Sequence, residues 1–150
     1  MMLAELEQGQ QQLKALLGQR FVEVLVPPWN RLSDELIAQL HAIEMVGLST
    51  LGPRSQLTQS GLALNNVHID LINWKQGRCF AGDTAVLGQL IEHLRRRRLG
   101  LEDADEATGL MSHHLAHDQG CWDFCQQLFE FLADRPVQWL TARQCFRAEH

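Results

Sequence analysis

Gly109-Leu110-Met111-Ser112-His113-His114-Leu115-Ala116-His117-Asp118 is the stretch on which the reading of this chain turns. A short apolar run meets a polar segment holding three of the chain's seven histidines, and a carboxylate closes it. That order predicts a buried strand at 110–112 opening into a loop, then a helix capped by Asp118. In α/β proteins, ligands sit outside the carboxyl ends of strands. The fold therefore depends on whether such strand–loop–helix units recur.

They recur on both sides. Residues 1–17 predict an amphipathic helix with Leu3, Leu6, Leu13 and Leu17 on one stripe, stopped by Gly18. Phe21-Val22-Glu23-Val24-Leu25-Val26 is β-branched and nearly continuous in hydrophobicity, as a strand buried on both faces should be, and Pro27-Pro28 ends it. Pro27-Pro28-Trp29-Asn30-Arg31 follows as a stiff loop. Ser33 or Asp34 then caps a helix turning Leu36, Ile37, Leu40 and Ile43 inward. Met45-Val46-Gly47-Leu48-Ser49 predicts a second strand and 50–61 a long loop; 62–69 contains a third strand, which delivers His68 and Asp70 to one side if it runs that far.

Asp83 or Thr84 starts a helix with Val86, Leu87, Leu90, Ile91 and Leu94 inward, ending in Arg95-Arg96-Arg97-Arg98 before Gly100. The helix after Asp118 carries Cys121, Trp122, Cys125, Leu128, Phe129 and Leu132 inward. Pro136-Val137-Gln138-Trp139-Leu140 predicts a last strand, and Thr141 caps a short helix to Phe146. Repeated strand–helix units imply an α/β protein with mostly parallel strands and crossover helices. With no convincing linker, 1–150 reads as a single domain. Four or five units are too few for an eight-stranded barrel, which needs about 250 residues. The sheet is open, part of a barrel, or completed by a second copy.

Composition narrows the class. The chain is 45% hydrophobic, so it is expected to be globular. A net charge of −5 argues against a nucleic-acid partner. The four-arginine run suits a helix end, where cations complement the dipole, or else a local anion patch. No apolar run reaches the roughly 18 residues of a membrane span, and Glu5 and Glu7 stand where a signal peptide would be basic. Cys79, Cys121, Cys125 and Cys145 lack zinc-ribbon or redox spacing. Reduced thiols and a cytoplasmic location are the expectation.

Three constellations could carry chemistry. His113, His114 and His117, with Asp118, have the spacing to bind zinc from one helical turn. A single histidine ending a strand can instead act as a general acid, and a third reading makes these residues structural, with Asp118 only a cap. Asp70 could orient a histidine, or Asp70 and His68 could be polar residues at a loop entrance. Trp29, Asn30 and Arg31 could line a sugar site, the indole stacking on the sugar and the guanidinium binding anions, or form a rigid turn.

Leu25-Val26-Pro27-Pro28-Trp29-Asn30-Arg31, Gly47-Leu48-Ser49-Thr50, His68-Ile69-Asp70-Leu71-Ile72-Asn73-Trp74 and the histidine stretch, in this order, resemble the polysaccharide deacetylase family (carbohydrate esterase family 4, the NodB-homology domain). The resemblance runs from about Met2 to Phe146 and covers the family's C-terminal part. It implies a partial (β/α) barrel and an ancestry in metal-dependent removal of acetyl groups from sugars. Asp70-Leu71-Ile72-Asn73-Trp74 resembles the family's Asp-x-x-Asp-Trp, with Asn73 in place of the second carboxylate. Met111-Ser112-His113 resembles its Leu-x-His and makes His113 the counterpart of the acid that protonates the leaving amine. Val26 stands where the family has an arginine, and Arg31 is the alternative cation.

The family's base and metal ligands, an aspartate pair and a His-x-x-x-His, would precede Met1. The resemblance thus implies an N-terminally truncated domain with no cofactor of its own and a divalent metal such as zinc only if the missing motifs are supplied. The expected site is His113, Asp70 and Arg31 for chemistry, with Trp29, Trp74 and Asn30 against an acetylated sugar or polysaccharide. A non-catalytic sugar-binding module, or a homodimer closing the incomplete sheet, is the alternative.

Overall fold

The computed structural model describes residues 2–146. It is a mixed α/β structure with small sheets containing parallel pairs, and no closed barrel forms among the described residues. The chain divides into two compact units. The described residues of 1–50, 54–66 and 140–150 form the first; 51–53 and 67–139 form the second.

In the first unit, helix α1 (Met2–Leu17) precedes strand β1 (Val24–Leu25), and the short helix α2 (Asp34–Ile37) leads to β2 (Gly47–Leu48). Ser33 caps α2 by accepting from the Leu36 amide, as its position predicts. Strands β3 (Thr58–Gln59) and β4 (Leu62–Leu64) complete a sheet of order β1-β2-β4-β3. The β1, β2 and β4 neighbours are parallel, whereas β3 runs antiparallel to β4. The expected long loop at 50–61 therefore contains a strand, turned back at Ser60 and Gly61, both at positive φ. Leu40, Leu48 and Leu62 lie at the centre of this unit's core, with Leu3 and Leu6 of α1 packed against it.

The second unit begins with β5 (Ile69–Asp70), then the antiparallel hairpin β6 (Ile72–Asn73) and β7 (Cys79–Phe80). Helix α3 (Asp83–Arg98) crosses over to β8 (Leu110–Met111), which pairs in parallel with β5, and α4 (Gln119–Ala133) follows. Its core gathers Ile69, Leu71, Ile72, Val86, Cys121, Phe124 and Cys125. Burial pushes the Cys121 and Cys125 thiols up, so they sit in the core as protonated, small apolar groups. All four cysteines are free.

Several expectations are corrected. The strand within 62–69 covers Leu62–Leu64 and does not run as far as His68 and Asp70: Val67 makes only an isolated parallel bridge to Leu51, and Ile69–Asp70 belongs to another sheet. On α3, Val86 is buried and Leu90 is packed against the core, but Leu87, Ile91 and Leu94 are exposed. The helix instead turns His93 inward, because that imidazole finds polar partners in the loop before β8. On α4, Trp122 and Phe129 are exposed. Residues 136–140 form no strand. Trp139 instead packs edge-on against Phe129 at a centroid distance of 5.6 Å. Thr141 caps α5 (Ala142–Cys145) through a full capping box with Gln144. No described helix is long and apolar enough to cross a membrane.

Candidate functional site

Parallel pairing of β5 with β8 sets Asp70 beside Met111 and Ile69 beside Leu110. Both strands end there, so the residues that follow each one emerge from the same end of the pair. After β8, the backbone turns at His113, whose carbonyl accepts from the Ala116 and His117 amides. This turn brings the His113 imidazole back to Asp70, with Nε2 3.1 Å from Oδ1. A carboxylate only accepts, so Nε2 carries the proton and Nδ1 is the free end of the ring. The histidine side chain is 25% exposed and the aspartate 15%.

Three further groups fix Asp70. The Ile72 amide donates to Oδ1 at 2.9 Å, and the Trp74 indole N–H donates to Oδ2 at 2.9 Å. Gln89 of α3 clamps the main chain: its Oε1 accepts from the Asp70 amide, and its Nε2 donates to the Asp70 carbonyl. Gln89 thus extends the β5 edge from a helix, a role that nothing in its local sequence signals. Trp74 stands edge-on to the His113 ring at 4.8 Å and 85°. Asp70, Trp74 and His113 therefore form one cluster, with the carboxylate bridging the imidazole and the indole. Asn73 is used locally: its Oδ1 accepts from the Lys75 and Gln76 amides and braces the β6–β7 turn.

Beside the cluster is an open hollow of about 530 Å³, walled by Trp74, Arg78, Ser112, His113, His114, Leu115 and Ala116. Asp118 does not reach it as a free ligand. Its Oδ1 caps α4 at the Cys121 amide and its Oδ2 accepts from the Phe80 amide. The Phe80 bond first, and then the Cys121 bond, hold this carboxyl below its ordinary range. His117 stands edge-on to Trp122 at 4.8 Å, and neither of its ring nitrogens is hydrogen-bonded. Among the described residues, no group of three or more His, Cys, Asp or Glu side chains is placed to hold a metal ion. The set His113, His114, His117 and Asp118 is thus not assembled as ligands.

His68, two residues before Asp70, belongs to a different structure. Its Nδ1 accepts from the Gly109 amide at 3.1 Å, which places the ring proton on Nε2, 3.1 Å from Glu106 Oε2. Its ring stacks on His93 with centroids 3.9 Å apart. His93 Nδ1 meets Glu102 and Nε2 meets Thr108. Arg96 binds Glu102, and Arg97 binds Thr108 and the Ala104 carbonyl. The arginine run is therefore not simply a solvated helix end: two of its four members hold the loop that leads into β8.

Trp29, Asn30 and Arg31 lie in the first unit. Trp29 and Asn30 are both left-handed, with φ of 60° and 53°, a costly conformation for a bulky side chain. Trp29 is 82% exposed and, with Arg31, edges an apolar hollow of about 690 Å³ lined also by Pro27, Leu25 and Leu6. The stiff loop predicted from the Pro pair is present, as one 3-10 turn over Pro28–Asn30.

Comparison of the chain with protein-family models, with curated proteins and with solved structures finds no match.

Proposed function

We propose that this protein is a polysaccharide-deacetylase-like domain, built as a partial barrel, whose second unit binds an acetylated sugar and presents a histidine acid to it. The observation that carries this reading is the bridging carboxylate. Asp70 holds His113 by one nitrogen and leaves the other free, while its second oxygen holds an aromatic ring beside the imidazole. That is the arrangement a proton-donating histidine needs: the carboxylate fixes the tautomer and stabilises the imidazolium, and the free nitrogen faces the chemistry. Trp74 supplies an apolar surface of the kind that packs on sugar rings, and Trp29 with Arg31 supplies a second such surface in the first unit.

Hydrolysis of an acetamide also needs an activated water. The hollow beside His113 is walled by no carboxylate among the described residues. A divalent metal such as zinc and a base from another polypeptide would complete the reaction. This chain by itself binds acetylated sugar without releasing acetate. The test is nuclear magnetic resonance titration with an N-acetylated chito-oligosaccharide, monitoring side-chain signals. Shifts at the Trp74 indole N–H and the His113 ring are expected, displaced to about tenfold higher sugar concentration in Asp70→Asn. Silence at both groups in millimolar sugar contradicts the reading.

A second reading, a homo-oligomeric assembly module, draws on the apolar surface of the second unit. Trp122, Phe129 and Phe131 of α4, and Leu87, Ile91 and Leu94 of α3, are each at least two-fifths exposed. Surfaces of this kind favour contact with a partner. A concentration-dependent mass in sedimentation equilibrium supports this reading, and a monomer throughout the micromolar range opposes it.

A further inference from the structure

The hollow beside His113 has a charge character that the sugar-binding reading does not explain. The chain carries more acids than bases, with a net charge of −5. Yet among the described residues the walls include Arg78, His113 and His114, together with Ser112 and Trp74, and no acidic residue. Asp70, the adjacent carboxylate, is already taken by the Ile72 amide, the Trp74 indole and His113.

Arg78 is the decisive member. Its backbone is left-handed, with φ of 56°, directly after Gly77 at φ 91°, and its amide closes the turn onto the Asn73 carbonyl. A non-glycine residue in this region carries a strain cost that glycine would avoid. Within the chain's described structure its guanidinium has no acidic partner within ion-pair distance, whereas Arg95 and Arg96 are both paired to glutamates. An exposed guanidinium on a braced hairpin turn, beside two imidazoles and an indole, matches a planar anion on a ring that packs against the aromatic surface.

We infer, resting on the sugar-binding reading above, that the hollow walled by Arg78, His114, His113 and Trp74 takes an acidic sugar, a uronic acid unit whose carboxylate is received by Arg78. The carboxylate meets the guanidinium fork, the ring lies along Trp74, and the acetyl-bearing position lies toward His113. A neutral amino sugar makes the last two contacts and lacks the first.

The test compares three probes by calorimetry on the full chain: an acetylated oligouronate, a neutral N-acetylated chito-oligosaccharide of equal length, and inorganic phosphate. A charge-assisted contact of this kind predicts that the oligouronate binds at least about tenfold more tightly than the neutral sugar. Arg78→Gln should abolish that preference while leaving neutral-sugar binding within about twofold, and Arg78→Lys should keep only part of it. The preference should also shrink as salt is raised. Equal affinity for the two sugars overturns this inference and leaves the sugar-binding reading standing. Binding of neither sugar overturns both. Phosphate binding as tightly as the oligouronate, with the same dependence on Arg78, shows a plain anion site and overturns the assignment to an acidic sugar.

Discussion

The second unit holds two histidine–carboxylate arrangements of nearly equal geometry and opposite design. In one, His68 meets Glu106 at 3.1 Å and His93 meets Glu102 at 3.0 Å; in the other, His113 meets Asp70 at 3.1 Å. The difference is what the second ring nitrogen does. His68 and His93 spend it on the Gly109 amide and the Thr108 hydroxyl, with their side chains at most 6% exposed. His113 keeps its second nitrogen free and is a quarter exposed beside a hollow. A fully partnered buried network fixes a structure, whereas a half-partnered ring at a cavity can exchange a proton or meet a ligand. The buried clasp also serves the open pair, because it anchors the 101–109 loop from which β8 and His113 follow.

Breaking the clasp should have the largest effect. His68→Ala removes one partner of a carboxylate that is 1% exposed, and urea unfolding should show a loss on the order of 3 kcal/mol, typical of a broken buried pair. His113→Ala should cost less than about 1 kcal/mol, as a partly exposed pair does. Equal losses would erase the distinction between the two arrangements. Next in size, Asp70→Asn keeps the shape but loses the charge shared by His113 and Trp74. Affinity for sugar should fall about tenfold with little change in melting temperature.

Acid should separate the two arrangements further. Burial first, then the neighbouring His68, hold His93 below the ordinary histidine value despite the hydrogen bond it makes to the Glu102 carboxylate and that group's charge. Its folded form therefore favours the neutral ring. The stability this contributes is complete above about pH 6.5 and is lost as pH falls below that value. Glu102 adds to the same trend at lower pH. Burial pushes its carboxyl up, but the hydrogen bonds from Arg96 and His93 outweigh it and hold the group below its usual range. That contribution, too, is lost as pH falls. Unfolding followed from pH 7.5 to 5 should show falling stability, and His93→Gln should flatten the upper part of the curve. The smallest effect belongs to Arg95. Its exposed pair with Glu92 is worth a few tenths of a kcal/mol, so Arg95→Ala should leave the midpoint almost unmoved.

What the sequence made legible was local. Ser33, Asp118 and Thr141 cap the helices their positions predict, because a cap acts over three residues. The strand before His113 is present, and at its end Asp70, Trp74 and His113 come together. The clasp stayed hidden because its pairings are long-range: His68 and Glu106 are 38 residues apart, and Glu106 stands in a stretch with no periodicity. His93 was obscured by the apolar stripe Leu87, Ile91 and Leu94, which predicted the wrong inward face for α3. Both hairpins were missed for a related reason: strands of two residues are too short to show alternation.

The most direct test of the account is side-chain nuclear magnetic resonance of the histidine rings while acetylated oligosaccharide is added at neutral pH. The His113 ring and Trp74 indole signals should move together with saturable dose dependence, while those of His68 and His93 stay fixed. Movement of His68 and His93 with His113 unmoved would contradict it and make the buried clasp, not the open pair, the responsive site.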